Sequence, residues 1–291
     1  MNNRYGVIDI GSNAIKCFVG TIVYQNNQPR VIREMYARIP VRLGEDVFSW
    51  GEILPLTEKK MTKGIVAFSQ LISIWEPKRS LIVATSAMRD AKNGKELLNS
   101  LIDKTGIEGK IISGKEEAEF VLNLLQWFYD RKAQKIIFDL GGGSLEINFI
   151  NADGKIESDS FKVGAVRLLK NTAHPSEIKN MYHFIEKHLH LDNFIAMATG
   201  GNVDALKSFF GKKGDDRLYL EEISDAFKKL APLSKEERIE QFFLPPDRAD
   251  VIVPAAHLFM TILQKFNIPY IYVPKVGLAD AVALAMDEKK I

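Results

Sequence analysis

Two short stretches carry the residue types that chemistry needs: "VIDIGSNAIK" from Val7 and "FDLGGGSLEI" from Phe138. Each runs an apolar, strand-like segment into an aspartate, an apolar residue and glycine, then resumes as a second strand-like segment. Asp9-Ile10-Gly11-Ser12 lines up with Asp139-Leu140-Gly141-Gly142. Glycine weakens a strand interior, so its presence here needs a reason. A tight glycine turn lets backbone N–H groups point into one space with no Cβ in the way. Such a concave row of donors takes anions, phosphate above all. An aspartate beside the loop would repel phosphate unless a hard cation, Mg²⁺, bridges carboxylate or water to the phosphate oxygens. The pattern, occurring twice, reads as a metal–polyphosphate cleft.

Other residues point the same way. In "ATSAMRD" (84–90), Thr85 and Ser86 lie near a helix start and Arg89 one turn in. A guanidinium grips paired phosphate oxygens, although an N-cap with a solvated arginine gives the same pattern. Glu116 and Glu117 fall in the first turn of a helix, where acids are favoured whatever the function. Ser144 and Glu146 stand two apart on one strand and share the side of the loop. An acid there is costly unless it handles water or metal, and phosphoryl transfer to water needs a group to orient or deprotonate the nucleophile. His183, His188 and His190 do not share one side of a helix and read as packing or solvated residues. Lys207, Lys212, Lys213 and Arg217 read either as a wet loop or as a guide for polyanions.

These residues must be held by an α/β framework. Each glycine stretch reads as a β-hairpin, and their separation of about half the chain suggests an internal duplication. Between them helical and strand patterns alternate: helix over 56–76, strand 79–85, helix 86–106 ending at Gly106, strand 110–113 and helix 114–131. After the second hairpin come helix 176–190, strand 194–199 and a turn opening a helix at "GGNVDALKSFF". A mainly helical stretch follows, with a capping box of Ser234 and Glu237, then strand 270–274 and a closing helix. Hairpins followed by alternating units imply mixed sheets flanked by helices.

The bulk numbers agree. A length of 291 residues favours two domains, and 46% apolar with 26% charged residues is an ordinary globular composition. A net charge of +2 neither demands nor excludes a polyanionic partner. The single cysteine, Cys17, rules out an internal disulfide and fits a cytoplasmic location. No leader pattern and no membrane-spanning run is expected, since "VIVPAAHLFMTIL" is too short and carries Pro254 and His257. No nucleic-acid module is expected either.

The blocks "VIDIGSNAIK", "VRLGEDVF", "ATSAMRDAKNG", "ISGKEEAEF", "FDLGGGSLEI", "VGAVRLL", "RADVIVPAAHLF" and "VGLADAV" together resemble the exopolyphosphatase / guanosine pentaphosphate phosphatase (Ppx/GppA) family of the actin-like ATPase superfamily. The resemblance runs nearly end to end, as a short form without the C-terminal helical domain. It implies two ribonuclease-H-like domains, 1–122 plus 278–291 and 123–277, each with a mixed five-stranded sheet, and an active site in the interdomain cleft. It implies Mg²⁺- or Mn²⁺-dependent release of terminal phosphate from inorganic polyphosphate, or of the 5′ γ-phosphate from guanosine pentaphosphate, and a homodimer. Carried over by position, Glu117 matches the general base on the attacking water and Glu146 the second acid. Gly11, Ser12 and Asn13 match the first phosphate loop, and Gly141, Gly142, Gly143 and Ser144 the second. Arg89 matches a phosphate contact. Asp139, with Asp9 beside the first loop, matches the metal side. Ala14, Lys16, Glu119, Leu145 and Ala279 depart from the family's usual residues, three of them softening positive or hydroxyl groups. Two other readings stay open: a kinase of the same superfamily, and a non-catalytic sensor of (p)ppGpp or polyphosphate.

Overall fold

A computed structural model describes residues 3–128, 133–151, 153–189 and 194–291. The chain divides into two compact units, Met1–Arg131 with Val276–Ile291, and Lys132–Lys275. In chain order the first unit holds β1 (Arg4–Ile10), β2 (Ile15–Gln25), β3 (Gln28–Ile39), α1 (Leu43–Trp50), α2 (Pro55–Ile74), β4 (Arg79–Ala84), α3 (Ser86–Asp90), α4 (Gly94–Thr105), β5 (Glu108–Ile111) and α5 (Gly114–Leu125). The second holds β6 (Gln134–Leu140), β7 (Leu145–Ile150), β8 (Ile156–Phe161), α6 (Ala165–Leu169), α7 (Pro175–His188), β9 (Phe194–Thr199), α8 (Gly201–Phe210), β10 (Arg217–Tyr219), α9 (Leu220–Leu230), α10 (Lys235–Phe242), α11 (Ile252–Lys265) and β11 (Tyr270–Tyr272). The closing helix α12 (Leu278–Asp287) belongs to the first unit. The sequence-drawn boundary at 122/123 falls inside α5.

The first sheet runs β3-β2-β1-β4-β5 and the second β10-β11-β9-β6-β7-β8. The second therefore has six strands where the resemblance implies five. β10 begins at Arg217, the last residue of the stretch read as a wet loop or polyanion guide, and it pairs antiparallel with β11. In each sheet the central strand, β1 or β6, is antiparallel to the next strand and parallel to a later one, β4 or β9. Both central strands are buried along almost their whole length, which explains their near-continuous apolar runs. Parallel pairing brings the C-terminal ends of neighbouring strands, and the loops that follow them, to one edge.

Local chemistry explains most boundaries. Pro55 opens α2 at a position where its missing N–H costs nothing, and left-handed Gly106 ends α4. The stretch 86–106 is two helices rather than one. A Cβ on Gly94 would sit 2.0 Å from the Met88 carbonyl oxygen, so the chain turns on itself there. Asn26 and Asn27 both take positive φ, the two-residue turn that fits strand twist, and add the third strand β3. The helix expected over 114–131 ends at Leu125 as α5, and 129–131 lie outside the described residues.

α12 packs on β1, β2 and α5 and is clasped by polar contacts at both ends. Tyr5 Oη donates to Asp287 Oδ1 (2.8 Å) and Tyr24 Oη to Asp287 Oδ2 (2.7 Å). At the other end the buried Asp280 accepts from Arg33 Nε (2.8 Å) and Nη2 (2.6 Å), and from the Gly277 N–H (2.9 Å). Hydrogen bonds to a charged group contribute about 1.5–3 kcal/mol, and a lone buried partner is costly. Asp280→Ala is expected to lower stability by about 2–3 kcal/mol, read as a lower urea midpoint at unchanged m-value.

Candidate functional site

Both glycine loops are built on the same register. Ile10 pairs with Ile15 and Asp9 with Lys16, so residues 11–14 close the first hairpin. Leu140 pairs with Leu145 and Asp139 with Glu146, so residues 141–144 close the second. In each, the glycine N–H donates to the carbonyl three residues on, Gly11 to Ala14 (3.1 Å) and Gly141 to Ser144 (3.0 Å). None of Gly11, Gly141, Gly142 and Gly143 takes positive φ. Their glycines therefore answer to space, not to a left-handed turn.

A short helix after the third strand fixes each loop from outside. Gly44 N–H donates to Ser12 O (2.7 Å) and Arg42 N–H to Asn13 O (3.0 Å). In the second unit Ala165 N–H donates to Gly141 O (3.1 Å), Val166 N–H to Gly142 O (2.8 Å) and Arg167 Nε to Gly143 O (2.8 Å). With carbonyls tied outward, the amides of Ser12, Gly142 and Gly143 have no acceptor among the described residues. The Ser12 hydroxyl, also buried, likewise lacks a hydrogen-bond partner among them. Unpaired buried donors of this kind call for an external acceptor. Close packing enforces the arrangement: a Cβ on Gly164 would lie 2.3 Å from the Gly143 carbonyl carbon. Sequence reading met "VRLGEDVF" and "VGAVRLL" only as blocks of the resemblance and gave them no bracing role, because hydrogen bonds between distant segments leave no periodic mark.

Cross-strand register then sets a polar row beside each loop. In the first unit it runs Arg38 on β3, Lys16 on β2 and Asp9 on β1. Lys16 Nζ lies 2.8 Å from Oδ2 of the buried Asp9. In the second unit it runs Ser160 on β8, Glu146 on β7, Asp139 on β6 and Thr199 on β9. Ser160 Oγ donates to Glu146 Oε1 (2.7 Å), and Glu146 is 1% exposed. The Thr199 hydroxyl is fully buried and has no hydrogen-bond partner among the described residues. Lys16, Ser160 and Thr199 were not singled out for these roles by sequence, because register is invisible until strands pair.

The first unit adds a third feature at the same strand ends. β4 leads into α3, and β5 into α5, whose N-cap Ser113 accepts from Glu116 N–H (3.2 Å). Glu116 returns the bond to Ser113 N–H (2.8 Å) and pairs with Lys110 (2.8 Å). The Lys110 ammonium, followed by the Ser113 amide, pulls its carboxyl down to about 2. Its neighbour Glu117 is 7% exposed, with Oε2 3.8 Å from Arg89 Nη1, while Nη1 also donates to Ile112 O (2.6 Å). The adjacent glutamates thus divide: Glu116 is a helix cap, and Glu117 is a buried acid beside an arginine.

Of the two aspartates, Asp139 fits a cation better. Its cross-strand partner is another carboxylate, and like charges directly opposite one another cost energy that a divalent ion would offset. Asp9 already faces the Lys16 ammonium. Among the described residues no three His, Cys, Asp or Glu side chains converge, so any cation here would keep much of its water. Elsewhere, His188 stacks on Phe184 at 4.7 Å and His183 sits on α7, while His190 lies outside the described residues. Arg217 is held by Asp215 (2.9 Å) and stacked over Tyr219 (5.3 Å) and Tyr270 (5.4 Å). Lys207 Nζ donates to Lys212 O (2.7 Å).

Two variants test this local reading. The Glu116 pairing contributes stability above the ordinary carboxyl value of 4.5, lost as pH falls towards 2. Thermal midpoints of Glu116→Gln should lie below wild type at pH 7, and the gap should close as pH drops through that window. Gly164→Ala should lower stability by about 1–3 kcal/mol, read as a lower unfolding midpoint, because backbone atoms stand where the methyl must go.

Comparison with known proteins fits this architecture. The sequence profile of the Ppx/GppA phosphatase family matches residues 35–290. The bifunctional 3-dehydroquinate synthase/phosphatase of Fusobacterium nucleatum is 26% identical over 293 residues, covering 91% of this chain and 44% of that protein. Exopolyphosphatase 1 of Mycobacterium tuberculosis is 30% identical over 146 residues, covering 50% of this chain and 42% of its own length. The chain thus spans under half the length of these curated relatives. The fold is similar to the crystal structure of an exopolyphosphatase from Cytophaga hutchinsonii, with a TM-score of 0.80 at 22% identity over 98% of each chain. No helix among the described residues is long and apolar enough to cross a membrane. With paired glycine hairpins, flanking acids and a profile match over most of its length, the chain belongs to the Ppx/GppA phosphatase family.

Proposed function

We propose that this protein is an exopolyphosphatase, hydrolysing the terminal phosphoanhydride of inorganic polyphosphate and releasing orthophosphate. The observation that carries the reading is the pair of four-residue loops whose carbonyls are tied away, with the amides of Ser12, Gly142 and Gly143 left for an anion. Two such loops suit successive phosphates of one chain. The relatives named exopolyphosphatase support the same substrate class.

In this reading Arg89 contacts phosphate oxygens and Glu117 takes a proton from the attacking water. The water oxygen bonds to the terminal phosphorus, the bridging P–O bond breaks, and the shortened chain leaves as an oxyanion. Burial beside Arg89 suits Glu117 to that role, because it limits the carboxylate's movement. Glu146 is the second acid of this reading, holding or steering water. Asp139, opposite Glu146, would hold Mg²⁺, which when bound offsets charge on the phosphate oxygens.

Phosphate release from polyphosphates of several lengths and from guanosine pentaphosphate tests it. Mg²⁺-dependent release from polyphosphate is expected, and Glu117→Gln should cut turnover by about 10²–10⁴-fold with KM within a few-fold. Release from guanosine pentaphosphate alone would move the substrate to that nucleotide. Tight binding with no release at any Mg²⁺ or Mn²⁺ level would make the protein a sensor. Unchanged turnover in Glu117→Gln would remove that residue from the chemistry.

A further inference from the structure

We propose that Ser160 is a positioning residue for the phosphohydrolase reaction, orienting Glu146 through a hydrogen bond between neighbouring strands. The inference rests on the reading of Glu146 given above. Ser160 stands directly opposite Glu146 in the β7–β8 register, and its Oγ donates to Oε1 at 2.7 Å. A hydroxyl bonded to a buried carboxylate fixes its plane and favours its charged form. One oxygen, Oε1, is thereby committed to the protein at a fixed place on the strand pair. Asp139, Glu146's partner on the other side, cannot supply this hold while ionised, since a carboxylate accepts and does not donate.

The hairpin of matching register in the first unit shows that such a sheet does not require this bond. At the matching place the first unit has Arg38 opposite Lys16, which in turn pairs with Asp9. The same backbone therefore accepts a cationic row as readily as a hydroxyl–carboxylate one. A control lies two residues back on β8. Ser158 Oγ donates to Asn148 Oδ1 at 2.6 Å, a bond of the same kind that touches no acid.

The test measures kcat and KM for phosphate release from polyphosphate in Ser160→Ala, Ser160→Thr, Ser158→Ala and Glu146→Gln, with thermal midpoints for each. Ser160→Ala should lower kcat by about 10- to 100-fold with KM within about three-fold. Ser160→Thr, which keeps the hydroxyl, should recover most of that loss, and Ser158→Ala should stay near wild type. If Glu146→Gln is inactive while Ser160→Ala turns over normally, the positioning role is wrong and the reading of Glu146 stands. Equal losses in Ser160→Ala and Ser158→Ala would also overturn it, marking both bonds as structural. Full activity in Glu146→Gln would remove the acid itself, and the inference with it. If Ser160→Ala does not fold, Ser160→Cys, a weaker donor, decides the matter by the same kcat criterion.

Discussion

The register of two antiparallel strand pairs governs everything else in this molecule. Because side chains alternate across a sheet, pairing Ile10 with Ile15 and Leu140 with Leu145 puts Asp9 and Asp139 on the face opposite their apolar neighbours. It also leaves room for only four residues in each turn. A slip of one place would send the aspartates into the apolar core and the isoleucines out. The buried flanks make such a slip prohibitively costly: Ile8, Ile10 and Ile15 are fully enclosed with α2 residues such as Met61 and Ile65. Hydrophobic packing on one face thus fixes polar chemistry on the other.

The loops depend on a second constraint, the direction in which their peptide groups point. A backbone unit offers a donor on one side and an acceptor on the other. By occupying the carbonyls of Ser12, Asn13, Gly141, Gly142 and Gly143, the braces at α1 and α6 decide which way the amides face. The first brace tolerates strain to do so. Arg42, at the start of α1, takes φ 63, a conformation that usually costs a non-glycine residue about 1 kcal/mol. The second is closed by Gly164, where no side chain has room. Similar results are reached by different local means, as expected of two halves that share a plan but not a sequence.

Their charges have diverged further than their backbones. Beside the first loop a lysine faces the aspartate, and an arginine lies beyond it. Beside the second a glutamate faces the aspartate, and a serine lies beyond. The first row suits anions. The second, with two acids opposed, suits a cation or a proton-handling task, and its strain is relieved only when such a partner or a hydrogen-bond donor is present. Two hairpins of matching register thus carry chemically distinct polar rows.

The hairpins, their alignment as a repeat, the α/β class and the main helices were legible from apolar periodicity and glycine placement, because those signals are local. So were the capping box at Ser234 and the helix stop at Gly106, where one residue decides one bond. Local sequence could not separate Glu116 from Glu117, since both sit in a helix's first turn. Only packing shows one half-buried in a cap and the other enclosed with Arg89. It could not reveal that Lys16 faces Asp9, that Ser160 holds Glu146, or that 217–219 adds a sixth strand, since all three arise from pairing between distant segments. The sequence by itself determined which residues were available for chemistry and which stretches were strand or helix. Tertiary structure alone decided which side chains stand opposite one another, because strand register is a property of pairs and no single segment carries it.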